Sequence, residues 1–170
     1  TAYYWNCGMP WLYRRGFFEE TIFRFILRHL ILVTGTAGVA REYKKYYRLR
    51  EENIRIVPNW INLERFRKNA DRPEFCRRLV IPQDSKIILF AHHLSKRKGS
   101  NMILPVAERI TKAIKNAIFL IVGSGPELRN LQPTTHNLQL ENNIRFVGEV
   151  PNKDMPEYFA AADTFFMPSE

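Results

Sequence analysis

The sequence predicts an α/β fold, in which a parallel sheet carries helices on both faces. From residue 86 onward, short apolar segments that suit strands alternate with longer segments that suit helices. The strand segments, such as IILFA and AIFLIV, are apolar throughout, which is typical of parallel strands buried on both sides. The 45% hydrophobic and 25% charged content is that of a globular chain with a core.

Four elements are predicted before residue 58. The first is a helix, because apolar residues recur at three- and four-residue spacing and predict one buried face, formed by Phe18, Ile22, Phe25, Ile26 and Leu30. A short strand at 30–33, a helix at 36–49 capped by Thr36 and a strand at 54–57 follow. Residues 1–16 are aromatic and rich in turn formers, and their pattern predicts no element.

The segment 58–82 is predicted to connect two domains. It is rich in proline and asparagine, with a short helix at 74–79. The regular pattern after it consists of strands at 86–91, 117–122, 144–147 and 164–167, separated by helices at 100–115, from Pro126 onward and at 152–162. Ser100 is expected to cap the first of these helices, and Pro126 to occupy the first position of the second.

The charge of the chain points to an anionic partner. The 170 residues carry a formal net charge of +9 and a pI of about 9.8. Basic residues crowd into 41–50 and 96–98, so a nucleotide, a nucleic acid or a membrane surface are all candidates, beside a solvated basic surface. Cys7 and Cys76 match no metal motif and no disulfide framework, and a reducing intracellular setting is expected. No secretory signal and no bilayer-spanning stretch are expected.

Two predicted strand ends carry residues that suit a phosphorylated ligand. Lys98 and Gly99 follow one strand, and Gly123 and Gly125 follow the next. Ligands of open α/β sheets bind at the carboxyl ends of the strands, where a lysine neutralises phosphate and glycine allows close backbone approach. The alternative for each motif is structural: a solvated lysine, or a tight strand-to-helix turn.

The order of segments after residue 54 resembles a known family. The segments are IRIVPNWINLERF, ILFAHHLSKRKGS, IFLIVGSGPELRNLQ and NNIRFVGEVPNKDMPEYFAAADTFFMPSE. Together they resemble the glycogen-synthase-like family 4 of glycosyltransferases, which have the GT-B fold. The resemblance implies the tail of an N-terminal Rossmann-like domain at 1–57, an interdomain linker at 58–82, and a C-terminal nucleotide-sugar-binding domain at 83–170, incomplete at its C-terminus.

The resemblance also implies a function. Members of this family transfer a sugar, with retention, from a nucleotide diphosphate sugar to an acceptor such as a glycan or a lipid-linked glycan. It implies a hexosyltransferase-like enzyme in the cytoplasm, with peripheral membrane contact left open. Neither a cofactor, a metal nor a nucleic-acid partner is expected. The alternatives are a GT-B epimerase or phosphorylase, or a non-enzymatic basic module that binds nucleotides or nucleic acids.

The family's basic loop would hold the diphosphate of the donor. Lys98, followed by Gly99, matches the family's lysine at this place. His93 stands where the family has an arginine, and His92 where it has a glycine. Because an imidazole lacks the fixed charge and the bidentate fork of arginine, this departure bears directly on the strength of diphosphate binding.

Two further segments would complete the donor site. By resemblance, the turn with Gly123 and Gly125 lines the sugar-nucleotide pocket, and Glu149 and Val150 hold the nucleotide base. No catalytic residue is assigned, because the family's catalytic pair of glutamates is expected to lie beyond these residues. Glu170 falls slightly too early to be the first of that pair. The 170 residues alone are therefore expected to lack transferase activity.

Overall fold

A computed structural model of the chain describes residues 2–67 and 70–169. The chain divides into two compact units, Thr1–Ile61 and Asn62–Glu170. Each unit is built on a parallel sheet. Among the described residues, no helix is both long enough and apolar enough to cross a membrane.

The first unit is a three-stranded β-α-β-α-β arrangement. Its elements are β1 (Tyr3–Trp5), α1 (Phe17–His29), β2 (Ile31–Thr34), α2 (Ala37–Tyr47) and β3 (Ile54–Ile56). The strands are parallel in the order β1-β2-β3. Both helices contribute to one core with the sheet, because connections between parallel strands are right-handed and place successive helices on the same side.

The predicted buried face of α1 is wrong. Phe18, Ile22 and Phe25 are 80%, 60% and 62% exposed, while Phe23 and Leu27 are the buried residues of this helix. Apolar residues occur on both sides of α1, so their spacing alone did not identify the side that meets the sheet. The prediction that Thr36 caps α2 is confirmed, since its hydroxyl accepts a hydrogen bond from the backbone N–H of Val39 at 3.2 Å.

The second unit is the predicted parallel sheet with helices on both faces. Its strands are β4 (Lys86–Ala91), β5 (Ala117–Val122), β6 (Ile144–Gly148) and β7 (Thr164–Phe165), in the order β6-β5-β4-β7. All neighbouring strands pair in parallel. The helices are α3 (Leu63–Phe66), α4 (Arg72–Arg78), α5 (Ile103–Ala113), α6 (Leu128–Asn137) and α7 (Met155–Ala161).

The continuously apolar strands supply two cores at once. In β4, Phe90 faces the core that α5 and α6 cover, whereas Leu89 faces the core that α4 and α7 cover. In β5, Phe119 and Leu120 divide in the same way. Successive side chains of a strand point to opposite faces, and here both faces are covered, so every residue of β5 is buried.

Two predicted helix starts differ from the structure. Ser100 begins a 3₁₀ turn that precedes α5, and its buried hydroxyl forms no hydrogen bond within the described part of the chain. Pro126 lies in the turn before α6, which begins only at Leu128. A contact between loops accounts for the later start of α6. The N–H of Glu127 donates to the carbonyl of Leu94 at 3.1 Å, so the turn before α6 is bound to the loop after β4.

Residues 62–82, which fall within the expected linker, belong to the compact second unit. In α4, Phe75 and Cys76 are fully buried against the sheet. That residues 58–82 link two domains stays a prediction. Glu170, discussed above, lies outside the described residues.

The connections that follow β5 and β6 leave the sheet on opposite faces. The chain leaves β5 toward α6 on one face of the sheet and leaves β6 toward α7 on the other. Open α/β sheets bind their ligands beyond the carboxyl ends of their strands, which is where these connections begin.

Candidate functional site

A cavity of about 440 Å³ opens at the carboxyl ends of β4, β5 and β6. Its walls come from the loops that follow these strands and from the start of α7. The lining residues are Ala91, His92, His93, Val122, Gly123, Ser124, Glu149, Val150, Asn152, Met155 and Phe159.

The loop after β4 and the loop after β5 are bound to each other along one rim. The N–H of His92 donates to the carbonyl of Val122 at 3.1 Å, and the N–H of Leu94 donates to the carbonyl of Ser124 at 2.8 Å. In the next turn, the N–H of Glu127 donates back to Leu94. The two loops that the sequence singled out therefore meet at the same edge of the sheet.

Glycine is required where these loops touch. Gly123 has φ +122°, and a Cβ there would overlap the carbonyl oxygen of His92. A Cβ on Gly125 would lie 2.7 Å from the backbone nitrogen of Leu94, closer than real Cβ atoms approach. Both glycines allow the backbones to pack, which supports the structural interpretation of this motif alongside the ligand-binding one.

His92 is held as a neutral imidazole. Its Nδ1 accepts a hydrogen bond from the backbone N–H of His93 at 2.7 Å, so its proton is on Nε2. Burial lowers the pKa of His92, and the nearby positive charges of Lys98 and Arg97 lower it further. The imidazole can therefore act as a hydrogen-bond donor in the cavity without adding a charge.

The structure brings four of the predicted site residues into the cavity wall and leaves three outside it. His93, Gly123, Glu149 and Val150 are lining residues. Among the described residues, those that line the cavity do not include Lys98, Gly99 or Gly125. These three belong to the same pair of loops.

Lys98 and Gly99 lie in the basic loop beside the cavity. Lys98 ends a 3₁₀ turn, is half-buried, and is close enough to His92 to affect its pKa. Gly99 packs against Pro168, whose Cγ would lie 2.6 Å from a Cβ at this position. The basic loop therefore places a cation near the cavity rim.

Several lining residues were not predicted from the sequence. Ser124 donates its hydroxyl hydrogen bond to Oε1 of Glu149, which joins the loop after β5 to the loop after β6. Asn152 follows β6, and its carbonyl accepts from Arg65. Met155 and Phe159 lie one turn apart on α7. Their spacing could have indicated a shared apolar face, but only the strand order shows that this face meets the cavity.

The cavity combines an apolar side with a polar side. Val150, Met155 and Phe159 provide a surface against which a flat ring can pack, while His92 and Ser124 provide hydrogen-bonding groups. Within residues 2–67 and 70–169, no three His, Cys, Asp or Glu residues are grouped so that they could hold a metal ion. The arrangement suits an organic ligand with a ring and an anionic group.

Comparisons with known proteins identify the family. Residues 71–170 match the family described as "Glycosyl transferases group 1". The chain is 27% identical over 117 residues to the GDP-mannose-dependent alpha-(1-6)-phosphatidylinositol monomannoside mannosyltransferase of Mycobacterium tuberculosis, which covers 68% of this chain and 30% of the relative. It is 29% identical over 147 residues to the D-inositol 3-phosphate glycosyltransferase of Streptomyces scabiei, covering 81% and 33%. The chain thus spans about a third of the length of these curated relatives.

Solved structures share the fold. WaaG, a glycosyltransferase involved in lipopolysaccharide biosynthesis, matches with a TM-score of 0.77 at 17% identity, over 98% of this chain and 50% of that one. Anabaena Alr3699/HepE in complex with UDP and glucose matches with a TM-score of 0.75 at 15% identity, over 98% and 46%. These likenesses confirm the predicted GT-B type of α/β fold.

Proposed function

This chain belongs to the group 1 glycosyl transferases, and we propose that its protein transfers a sugar from a nucleotide diphosphate sugar to a glycan or lipid-linked acceptor. The observation that carries the proposal is the cavity at the carboxyl ends of β4, β5 and β6, with the basic loop beside it. The cavity volume of about 440 Å³ lies within the range of small-molecule sites, roughly 300–1,000 Å³.

The proposed donor is a hexose carried on a nucleoside diphosphate. The mycobacterial relative is named as dependent on GDP-mannose, and a structure of HepE contains UDP-glucose. In this chain, Glu149 and Val150 would contact the base, and Met155 and Phe159 would pack against the base or ribose. The polar groups of the loops after β4 and β5 would then face the diphosphate.

The basic loop would stabilise the departing diphosphate. Lys98 would supply the positive charge, and His93, together with backbone N–H groups, would supply hydrogen bonds. His92 is neutral and would donate through Nε2. Since neither histidine offers the fixed, forked charge of an arginine, Lys98 carries more of the electrostatic stabilisation in this chain than a lysine paired with an arginine would.

Further parts of the proposal concern stereochemistry and setting. We propose retention of the anomeric configuration and a cytoplasmic location. For the second, the support is that Cys7 and Cys76, among the described residues, are not joined by a disulfide. We also propose that the 170 residues alone bind a donor without transferring its sugar, which makes binding the informative measurement.

The test is calorimetric titration of the 170-residue chain with UDP, uridine, GDP and guanosine. We expect the diphosphates to bind more tightly than their nucleosides. Lys98→Ala should weaken diphosphate binding about 10- to 100-fold, the loss expected for a hydrogen bond to a charged group. It should leave nucleoside binding unchanged, because the nucleoside lacks the group that Lys98 contacts.

Lys112→Ala is the matched control. Lys112 is an exposed lysine on α5 that pairs with Glu108 at 2.9 Å, so its removal changes the net charge equally without touching the cavity. If Lys98→Ala and Lys112→Ala weaken binding equally, the diphosphate is not held at the proposed place. If a folded chain binds neither diphosphate, the proposed donor site is wrong.

A further inference from the structure

Glu149 is the one acidic residue among the described residues that line the cavity, and it is exposed. Its Oε1 accepts the hydroxyl hydrogen bond of Ser124. Within residues 2–67 and 70–169, that is the only hydrogen bond that this carboxylate accepts, so its Oε2 faces the cavity without a partner. An ionised carboxylate accepts hydrogen bonds and cannot donate them. A ligand beside Glu149 must therefore supply donors, because a ligand that presents acceptors there would be repelled.

An irregularity at the end of β6 sets the position of this carboxylate. The pairing of β6 with β5 shifts by one residue there, because Gly148, not Val147, pairs with Val122. Gly148 also has φ +82°, a left-handed conformation that turns the chain as the strand ends. Bulges of this kind redirect side chains next to functional sites. Here the side chain of the next residue, Glu149, reaches across to Ser124 on the loop after β5.

Strand order separates this carboxylate from the basic loop. β5 lies between β6, which Glu149 follows, and β4, which is followed by the basic loop with Lys98. Neighbouring strands lie about 4.8 Å apart, so the ends of β4 and β6 are about 10 Å apart. A nucleotide with its diphosphate beside Lys98 therefore extends its base toward Glu149. The same orientation keeps the negative phosphates away from the carboxylate.

We propose that Glu149 selects guanine as the base of the donor nucleotide. Guanine presents two hydrogen-bond donors side by side on one edge, N1–H and the N2 amino group. The carboxylate can accept both, one on Oε2 and one on the lone pair of Oε1 that Ser124 does not use. Ser124 is a positioning residue, because its hydrogen bond fixes the orientation of the carboxylate.

The other common bases lack this pair of donors. Uracil has a single N–H between two carbonyl oxygens, which the carboxylate would repel. Adenine and cytosine have an acceptor nitrogen in the ring beside their amino group. Hypoxanthine, the base of IDP, keeps N1–H and lacks the N2 amino group, so IDP isolates the contribution of the second donor. A site that accepts a particular N–H rejects an analogue that lacks it.

Base selection by Glu149 rests on the proposed function, because it takes the cavity to be the donor site. It adds the identity of the base to a proposal about sugar transfer and diphosphate binding. The two are separable, since Lys98 and Glu149 would contact different parts of the nucleotide. In the Lys98→Ala chain, the diphosphates should all bind more weakly, but the preference for GDP over IDP should persist.

The test is calorimetric titration of the 170-residue chain with GDP, IDP and UDP. We expect GDP to bind about tenfold or more tightly than either of the others, the effect of one hydrogen bond to a charged group. Glu149→Gln should weaken GDP binding about 10- to 100-fold and bring GDP and IDP to within about twofold of each other. UDP should bind unchanged or more tightly, because an amide can donate to a carbonyl of uracil.

Two further variants sharpen the test. Ser124→Ala should lower the preference for GDP over IDP about 2- to 10-fold, because the carboxylate is no longer held in place. Glu141→Gln is the matched control. Glu141 is an exposed glutamate that precedes β6, at the end of the strand opposite to Glu149, and its substitution should leave all three affinities unchanged.

Three outcomes would contradict base selection, and they differ in what they mean for the donor site. Equal binding of GDP and IDP, or tighter binding of UDP, would overturn it while leaving the donor site in place. An equal loss of all three diphosphates in Glu149→Gln would assign the carboxylate to the ribose, which they share, and would overturn it as well. If the folded chain binds no diphosphate, the donor site is wrong, and base selection is wrong with it.

Discussion

The two units differ in how their helices cover the sheet. In the second unit, helices cover both faces, and alternate residues of β4 and β5 enter separate cores. In the first unit, α1 and α2 join one core on one face of the sheet, while Tyr3 and Trp5 on β1 remain 63% and 58% exposed. The first unit thus buries its large apolar side chains in a single core and leaves others, such as Phe18, widely exposed.

This difference shows when hydrophobic spacing identifies a core. Where both faces of a strand are covered, every apolar residue is buried, and the pattern predicts burial correctly. Where a helix carries apolar residues on two sides, spacing identifies the helix but not its buried face. That is why α1 was correctly predicted as a helix while the residues chosen for its core were wrong.

The largest expected effect contrasts two phenylalanines, one in each unit. Phe119 is fully buried in β5, and Phe119→Ala should lower the free energy of unfolding of the second unit by about 3–5 kcal/mol, because it leaves a cavity in the core. Phe18→Ala should change the stability of the first unit by no more than about 0.5 kcal/mol, because this side chain is already exposed.

The measurement must report each unit separately. All three tryptophans, Trp5, Trp11 and Trp60, lie in the first unit, so tryptophan emission during urea unfolding follows that unit. Hydrogen exchange of peptides from β4 and β5 follows the second unit. If Phe18→Ala destabilised the first unit as much as Phe119→Ala destabilises the second, the outer side of α1 would be part of a core, and the comparison would be wrong.

Much of the fold could be predicted from the sequence because each strand of the second unit carries its own signal. The predicted strands at 86–91 and 117–122 coincide with β4 and β5. β1 could not be predicted, because its three residues are held as a strand by pairing with β2, a long-range contact without a local pattern. The starts of α5 and α6 were misplaced because contacts between loops, not the residues at the helix ends, set them.

The candidate site was predictable only in part. Glycine at a strand end is visible in the sequence and led to Gly123, whereas the resemblance to the family led to His93, Glu149 and Val150; all four line the cavity. Met155 and Phe159 enter the cavity because the chain leaves β6 toward the opposite face of the sheet. That choice depends on strand order, which a single sequence does not display.

An intermediate effect contrasts two glycines. Gly123→Ala should destabilise the second unit by about 2 kcal/mol, because φ +122° disfavours alanine and the new Cβ would overlap His92. It should also weaken UDP binding, since the loop after β5 must shift. In the first unit, a Cβ on Gly38 would lie 3.8 Å from Oγ1 of Thr36, an ordinary contact. Gly38→Ala, within α2, should therefore stabilise by about 0.5–1 kcal/mol.

In urea unfolding, the two substitutions should change the free energy of unfolding in opposite directions. Gly123→Ala should lower it for the second unit, followed by hydrogen exchange, and Gly38→Ala should raise it for the first unit, followed by tryptophan emission. A stabilising Gly123→Ala would mean that the loops after β4 and β5 are not packed as described. The ligand titration adds a second readout that a change of stability alone would not produce.

The smallest expected effect concerns ion pairs and depends on pH. Asp163 lies 2.8 Å from Arg72, which also donates to the carbonyls of Ser85 and Ala161 and so joins three segments of the second unit. Burial opposes ionisation of Asp163, but the hydrogen bonds from Arg72 and from the N–H of Ile87 outweigh it and lower its pKa. Because the pKa is lower in the folded state, the stabilisation is fully present above the unfolded-state value of about 3.9 and is lost as the pH falls through the folded-state value.

Asp163→Asn should therefore cost about 1–2 kcal/mol at neutral pH and make the stability of the second unit less dependent on pH below about pH 4. The control is Glu51→Gln in the first unit, whose carboxylate is 91% exposed where it meets Lys44 at 3.0 Å, and whose loss should cost less than about 1 kcal/mol. Hydrogen exchange of β4 peptides at neutral and acidic pH measures the first change, and tryptophan emission measures the second. If the acid sensitivity of β4 were the same with aspartate and asparagine at 163, Asp163 would not be the carboxylate that links pH to the packing of β4 and β7.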